Sequence, residues 1–562
     1  MKKIDETASE ITAKISKKEG EFGDRNTRMD NDFDLWGLKG STNFPSEKQD
    51  NAFNLQAHEV TVVSNDPRTF ADQVQSTLSD AEMQIIVRMV ENKGEDKRDD
   101  LASLERLLHF ALDMADRRLR KLLLPPLREA VIWHSIVRGW VAARTLVYKA
   151  KSKDVIFDIL PLDPRWLTYD TGGDGLLWTG YKTLRSGAAL KDEWSYKAGK
   201  ETENVVIDYW RHDGDKKFTN AVICDKEFIK PLTVHKIRSF PVTVLPVATR
   251  PPASTTSGDE SEGYGDSIFA PLRDINKTRN KFASIVATHA NLLAKQPIIN
   301  YYDEQGKPLQ TTVYLAEGVL NLPKDHNVLE AAPMKEIAPT VVQILGWLNE
   351  QMERASLPHI PVSSPPPSGT LYNLVQEAGN KVFNPQLKNL TYLYTEICCQ
   401  IEEQLIDSNI KVDVRYEEKK KYFETQVTPV DLKKPHITKV EFTARTPWTQ
   451  FDTYQIADMA KRLGLPDAFI HEYILKLPDP KGLGDMSAIE MAEHSPKMAM
   501  VRAIQALMVA GRQDEAEQVM RDLYQLEVSE QQATLPTSPI SPTPTAPTQG
   551  QPPVGIGSGG VM

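Results

Sequence analysis

The segment GYGDSIFAPLRDINKTRNKFASIVATHANLLAKQP, Gly263–Pro297, leaves the backbone few options. Asp266 or Ser267 can cap a helix, and Pro271 falls within its first turn or so, where a missing N–H is tolerated. No breaker follows until Pro297, so the pattern predicts a helix of about 28 residues, or roughly 40 Å at 1.5 Å per residue. Helices of globular domains average only about 10–14 residues. The apolar positions Ile268, Leu272, Ile275, Phe282, Val286 and Leu293 form one stripe, with Arg279 and His289 inside it. Basic residues (Arg273, Lys277, Arg279, Lys281) interrupt the flanking faces. A long helix with so narrow a seam needs neighbouring helices to bury it. A helix spanning one large domain meets the same requirement.

At 562 residues the chain has length for several cores, three or four units at about 150 residues each. Its 40% hydrophobic and 26% charged residues are those of a folded, water-exposed protein. A net charge of −10 argues against a protein that grips nucleic-acid phosphates over its whole surface. Cys224, Cys398 and Cys399 have no metal-ligand spacing, and adjacent cysteines do not readily share a disulfide, which points to a reducing compartment. Lys2 and Lys3 precede a polar stretch with no apolar core, so no signal peptide is expected. No run approaches about 18 uninterrupted apolar residues, so no membrane span is expected.

Residues 1–80 are polar, with an Asn/Asp/Gly-rich linker expected around Asp24–Ser46. Helices are expected at Leu101–Leu123 and Leu127–Tyr148, separated by Pro125 and Pro126. The period then changes. Val155–Leu160, Leu176–Leu184, Val205–Trp210, Ala221–Cys224 and Val242–Val247 are short, β-branched or aromatic, and set off by Gly, Asp and Pro. Thr249–Gly263 reads as a linker or exposed loop. After the long helix come strands at Pro297–Tyr302 and Thr311–Asn321. A second seamed helix follows over Ala338–Ala355, through Val341, Ile344, Leu348 and Met352. This arrangement would return the chain antiparallel, with a small β element at the tip. Leu357–Gly369 carries five prolines and cannot be helical. Another helix is expected over Leu371–Leu405, kinked or divided by Pro385, then strands at Lys411–Tyr416 and Thr438–Phe442. Helices at Phe451–Gly464, Asp467–Lys476 and Ser487–Leu526 precede a Pro/Thr/Ser-rich tail from about Glu527, of disordered composition.

Signs of chemistry are few. The chain has no G-x-x-x-x-G-K-[ST] phosphate loop, no H-E-x-x-H and no C-x-x-C. His212-Asp213-Gly214-Asp215 could chelate a divalent cation, but between strands such a run reads first as a solvated turn. Asp208 and Asp266 show no spacing for a two-metal site, and His289 and His359 are isolated. The composition is that of an architectural protein, with no catalytic residue, metal or cofactor expected.

The order of these parts is recognisable. A β-rich region, the GYGDSIFAPL approach to a helix and a small β insertion between two long helices come first. A Pro-rich loop, SLPHIP to SG, and a long helix interrupted at Asn384-Pro385 follow. Together they resemble the portal (head–tail connector) proteins of tailed bacteriophages. LGLPDAFIHEYILKLPDPKGLGDMSAIEMAE is similar to the helical region at the portal crown. The resemblance covers roughly residues 100–525 and rests on order and loop composition.

It implies an α+β, multi-domain portal fold. After an N-terminal polar region (1–80) come a wing (81–262), stem helix 1 (263–295), a small β-containing clip (296–337) and stem helix 2 (338–356). A channel loop (357–369), the wing's long helix and strands (370–446), helical crown (447–527) and disordered tail (528–562) complete it. The family forms rings, commonly of twelve, at one capsid vertex in the virion, assembled in the bacterial cytoplasm. Genomic DNA is packaged and ejected through the ring. The partners implied are further copies of the chain, the terminase large subunit, the head–tail adaptor, major capsid and scaffolding proteins, and double-stranded DNA without sequence preference. No membrane is involved. On this chain the stem interface would fall to Ile275, Phe282, Val286, Val341 and Leu348, and clip docking to Tyr301, Tyr302 and Lys307. DNA would be faced by Lys277, Lys281, Lys295, Ser363, Ser364 and Ser368; a solvated outer face and a plain connector are the simpler readings of these lysines and serines. Two other classes remain: a non-viral cytosolic helical scaffold, and a metal-dependent nuclease using Asp213 and Asp215.

Overall fold

The computed structural model describes residues 6–39, 60–89, 98–150, 154–197, 199–214, 217–235, 237–247, 265–294, 298–302, 319–323, 328–331, 339–355, 383–418, 421–443, 447–466, 470, 474, 496–509 and 512–533. Helix and sheet are mixed, an α+β chain that divides into two compact units, 1–452 and 453–562.

The first unit opens with α1 (Ala8–Glu21) and α2 (Gly23–Trp36). Then come α3 (Asp66–Ser79), β1 (Glu82–Met89), α4 (Arg98–Lys121) and α5 (Leu127–Val137). Strands β2 (Trp140–Lys149), β3 (Val155–Pro161) and β9 (Val242–Pro246) form one sheet in the order β3-β2-β9. Between β3 and β9 the chain makes an antiparallel meander of five strands in sequence order. These are β4 (Leu167–Gly172), β5 (Gly175–Arg185), β6 (Asn204–His212), β7 (Phe218–Cys224) and β8 (Glu227–His235), with α6 (Gly187–Trp194) after β5. The five strands expected from period and punctuation are all present. Sequence reasoning missed two strands of the meander, β4 and β8; in β8 Pro231 suits an edge position that needs no donor there.

Two expectations fail for a stated reason. The helix expected over Leu127–Tyr148 stops at Val137, because Gly139 takes a φ of 70° and turns the chain into β2. The linker expected at Asp24–Ser46 is instead helix α2 up to Trp36. Its polar residues are paired rather than solvated: the Arg25 guanidinium donates to the carbonyls of Pro164 and Leu167, and Met29 and Leu35 are buried. Tertiary partners outweigh the weak helix propensity of Asp and Asn. The N-terminal region is likewise part of the body, since Ile11 and Ile15 of α1 pack on Trp178, Ile207 and Tyr209. Gly180 of β5 leaves room for this; a β-carbon there would lie 2.5 Å from Ile15 Cδ1.

A single large core joins α3, α4, α5, β2 and β3 to α9 (Asn384–Asp407). On α4 the residues Leu104, Leu107, Leu108, Ala111 and Ala115 fall on the expected face and are buried. Pro385 sits in the first turn of α9, so the helix begins there; the expected helical stretch before it, 371–382, lies outside the described residues. A polar chain ties the two main sheets together. Arg144 of β2 pairs with Asp158 of β3 at 2.9 Å and Asp208 of β6 at 2.5 Å, and Arg118 joins Asp158 at 2.9 Å. Burial alone would lower Arg144, but the two carboxylates outweigh it and keep its pKa above the usual value. β13 (Val412–Glu418) and β14 (Lys421–Val427) form a hairpin, α10 is Pro429–Leu432, and β15 (His436–Thr443) pairs antiparallel with β1.

Helix α11 (Pro447–Arg462) comes next in the chain, then α12 (Pro496–Val509) and α13 (Gln513–Ala533). In the second unit Ala457 and Ala460 pack with Ile470, and α12 lies against α13. Helix α13 passes the expected start of the tail and reaches Ala533. No helix among the described residues is long and apolar enough to cross a membrane.

Candidate functional site

The approach to the long helix, from Gly265 on, is pinned before any helix forms. Gly265, at φ 68°, packs so close to Trp140 that a β-carbon would overlap the indole, and Gly139 in turn lies against the Gly265 carbonyl. The Ser267 hydroxyl accepts the Phe269 N–H at 3.1 Å and donates to Asp32 at 2.7 Å. Ile268, Phe269 and Leu272, expected on the helix, are buried in turns before it. The long helix itself is α7, Arg273–Ala294. Its first residue, Arg273, grips Asp32 of α2 with two hydrogen bonds of 2.8 Å.

Beyond this clamp α7 carries small polar residues four apart: Asn276, Asn280, Ser284 and Thr288. An extended strap, Val60–Ser64, runs antiparallel along three of them. The N–H groups of Val60, Val62 and Ser64 donate to Thr288 Oγ1 at 2.9 Å, Ser284 Oγ at 2.9 Å and Asn280 Oδ1 at 3.0 Å. Two extended residues advance about 6.6 Å and four helical residues about 6 Å, so alternate amides meet successive turns. The apolar-stripe reading overlooked this ladder, although the repeating Asn, Asn, Ser, Thr at four-residue spacing was its signal.

The chain leaves α7 into a small mixed sheet of β10 (Ile298–Tyr302), β11 (Val319–Pro323) and β12 (Val328–Ala331), ordered β11-β10-β12. It returns as α8 (Pro339–Ala355), which packs on α7. Arg279 of α7 donates to Asn349 of α8 at 2.6 Å, and Ile275 near the start of α7 and Met352 near the end of α8 both reach the main core, so the two helices run antiparallel. The same guanidinium donates to Ser64 at 2.7 Å and pairs with Asp66, locking strap and helix pair together.

The expected interface residues divide. Leu348 is buried, and Ile275 packs against the chain's own core, so neither is free for a neighbour. Phe282, Val286 and Val341 are half-buried. Within the chain, α8 and the strap supply part of the cover that α7 needs. Apolar exposure on the pair falls instead to Ile285, Val342 and Trp347, at 46%, 56% and 57%. Lys277 and Lys281 are partly buried on α7. Tyr301 is half-buried in β10, whereas Lys295, Lys307, His359, Ser363, Ser364 and Ser368 and the side chain of Tyr302 lie outside the described residues.

The turn that could have held a cation is occupied structurally. Asp213 accepts from Arg211 Nε at 2.6 Å and also from Thr219, and His212 stacks on Phe218. Asp215 lies outside the described residues. Among the described residues no three His, Cys, Asp or Glu side chains group as a metal site would require. Burial pushes the Cys224 thiol up to about 11 and that of Cys399 to about 12, away from nucleophilic thiolates. The glutamines Gln400 and Gln404 of α9 were also missed by the apolar pattern. Gln404 donates to the Thr145 carbonyl and accepts the Val147 N–H, each at 2.8 Å, serving the side of β2 that β9 leaves unpaired beyond Arg144. What the chain offers is thus a braced helix pair with three exposed apolar residues, joined through a small three-stranded sheet. No known family model matches the chain, and no curated protein matches it at a significant level.

Proposed function

We infer that the chain is a subunit of a bacteriophage portal, a ring at one capsid vertex through which double-stranded DNA enters and leaves. The observation that supports this reading is the antiparallel pair α7–α8, joined through a three-stranded tip and exposing Ile285, Val342 and Trp347. Apolar side chains on a braced, rigid pair suit burial against another copy, and a heterologous contact that repeats and closes makes a ring. An acidic chain suits a channel, because a wall that repels phosphate lets DNA pass without sticking. The tip formed by β10, β11 and β12 would dock the terminase large subunit during packaging and the head–tail adaptor afterwards. Major capsid and scaffolding proteins would surround the ring in the virion. The reading asks for no bond-making chemistry.

Native mass spectrometry and negative-stain imaging of the full chain test it. A hollow ring with a hole near the width of duplex DNA is expected. Val342→Asp with Trp347→Asp should abolish the ring and preserve the circular dichroism, since both side chains face solvent in one copy. Monomers alone at micromolar concentration across several salt conditions would sink the reading, as would rings that survive the double substitution. A closed assembly without a DNA-wide hole would turn it towards a non-viral scaffold.

A further inference from the structure

Helix α4 ends in a cap with an unusual residue. The Leu124 N–H reaches the Leu119 carbonyl at 3.0 Å, and the Leu123 N–H reaches that of Arg120 at 3.1 Å. This nested pair is the Schellman cap, whose left-handed position is ordinarily glycine. Here it is Leu123, at φ 58°. A side chain disfavours that backbone, and the leucine gains nothing from its own subunit, being 94% exposed. Leu122 and Leu124 beside it are exposed as well. Backbone strain and apolar surface in water thus coincide at one residue, which glycine or asparagine would relieve.

Next to this knob is a pocket of about 340 Å³ lined by Leu124, Pro125, Ala130, Trp133, Pro161 and Tyr181. Knob and pocket share Leu124. Exposed Arg120 and Lys121 precede the knob, and exposed Glu129 stands at the pocket. One surface therefore carries an apolar projection with a cationic base and an apolar recess with a carboxylate. A patch that holds both halves is self-complementary, which is what a two-fold contact requires.

We propose that two copies of this chain pair about a two-fold axis at this patch, each seating Leu123 in the other's pocket with Arg120 or Lys121 towards Glu129. So small a contact falls short of the roughly 1,200 Å² of stable interfaces, so the pairing is weak and reversible. It is independent of the portal reading, because a ring repeats a heterologous contact and this one is reciprocal.

The test uses the full chain with a photoreactive benzophenone amino acid in place of Leu123. Irradiation should give a two-chain product cross-linked to residues 125–133 or to Pro161 of the second copy. In parallel, Leu123→Gly suits the left-handed backbone. It should raise the thermal midpoint while weakening self-association by at least about tenfold in sedimentation velocity. An unchanged association for Leu123→Gly, or no intermolecular cross-link, overturns the proposal. Flotation of the parent chain, but not Leu123→Gly, with phosphatidylglycerol vesicles overturns it in favour of a lipid surface. Val342→Asp with Trp347→Asp should leave the cross-link intact. If ring and cross-link vanish together, Leu123 belongs to the ring contact and the two-fold pairing is wrong.

Discussion

Arg273 and Asp32, 241 positions apart in sequence, meet as a fork on a carboxylate, Nε to Oδ1 and Nη2 to Oδ2 at 2.8 Å each. Asp32 is 1% exposed, so the N-terminal helix α2 sets where the long helix α7 begins. Asp32→Ala should strand a partly buried guanidinium and the Ser267 hydroxyl, at about 3 kcal/mol of stability in urea denaturation. Adding Arg273→Met should recover part of that loss, because the uncompensated charge is what destabilises. An equal or larger loss in the double variant would show that packing, not charge, is the main contribution.

Stability should peak near pH 6.5, with a different histidine on each side. The hydrogen bond to Glu402 raises the pKa of His436 above the ordinary 6.5, against an opposing effect of burial. Stability from a raised pKa is fully present below pH 6.5 and is lost as pH rises through the folded value. Burial pushes His134 down to about 4, so the unfolded chain takes up its proton first and stability falls as pH drops from 6.5 towards 4. Thermal melts across this range should show both limbs. His436→Gln should flatten only the alkaline limb and His134→Gln only the acid one.

Gly139→Ala should be among the most damaging small substitutions. Its β-carbon would overlap the Gly265 backbone, and the φ of 70° is hostile to any side chain. A loss of at least about 2 kcal/mol is expected, read from the shift of the urea midpoint.

How much of this was legible beforehand depended on period. Strands β5, β6 and β7 announce themselves by β-branched or aromatic runs between Gly and Asp turns, and α4 by its leucines three and four apart. Position 139 was harder: a lone glycine in a run that read as helix does not declare a left-handed φ. Helix α2 was illegible because its helicity comes from partners such as Arg138, Pro164 and Arg273, which lie far along the chain. Two long helices with strands between them were foreseen, but which of their apolar residues are exposed was not. Alternating seams tell that a face is buried without saying whether the cover is the same chain or another.

The strap gives a prediction by hydrogen exchange. Ser284→Ala with Thr288→Val removes two of its three acceptors while leaving the backbone of α7 intact. The amides of Val60 and Val62 should then exchange faster, by about tenfold or more for each kilocalorie-scale bond lost, whereas Ser64, still held by Asn280, changes less. Equal protection in the variant would mean that the strap is held by its valines alone.

The thiols should be nearly inert. With Cys224 pushed up to about 11 and Cys399 to about 12 by burial, the native protein should leave both unmodified by an aromatic disulfide reagent at pH 8. All three cysteines should react at once in denaturant. Rapid labelling of the folded chain would contradict the burial described.

The ladder between strap and helix also carries its own length limit. Its two scales differ by roughly 0.6 Å per rung, about 6.6 Å along the strap against 6 Å along the helix. Like a vernier, they align over three rungs and then drift out of phase. The next amide, Asp66 N–H, has already left the helix and bonds Ser64 Oγ at 3.2 Å, just where α3 begins. An insertion of two residues within the strap would therefore not lengthen the clasp by a rung; it would slide the register and put Arg279 opposite the wrong partner.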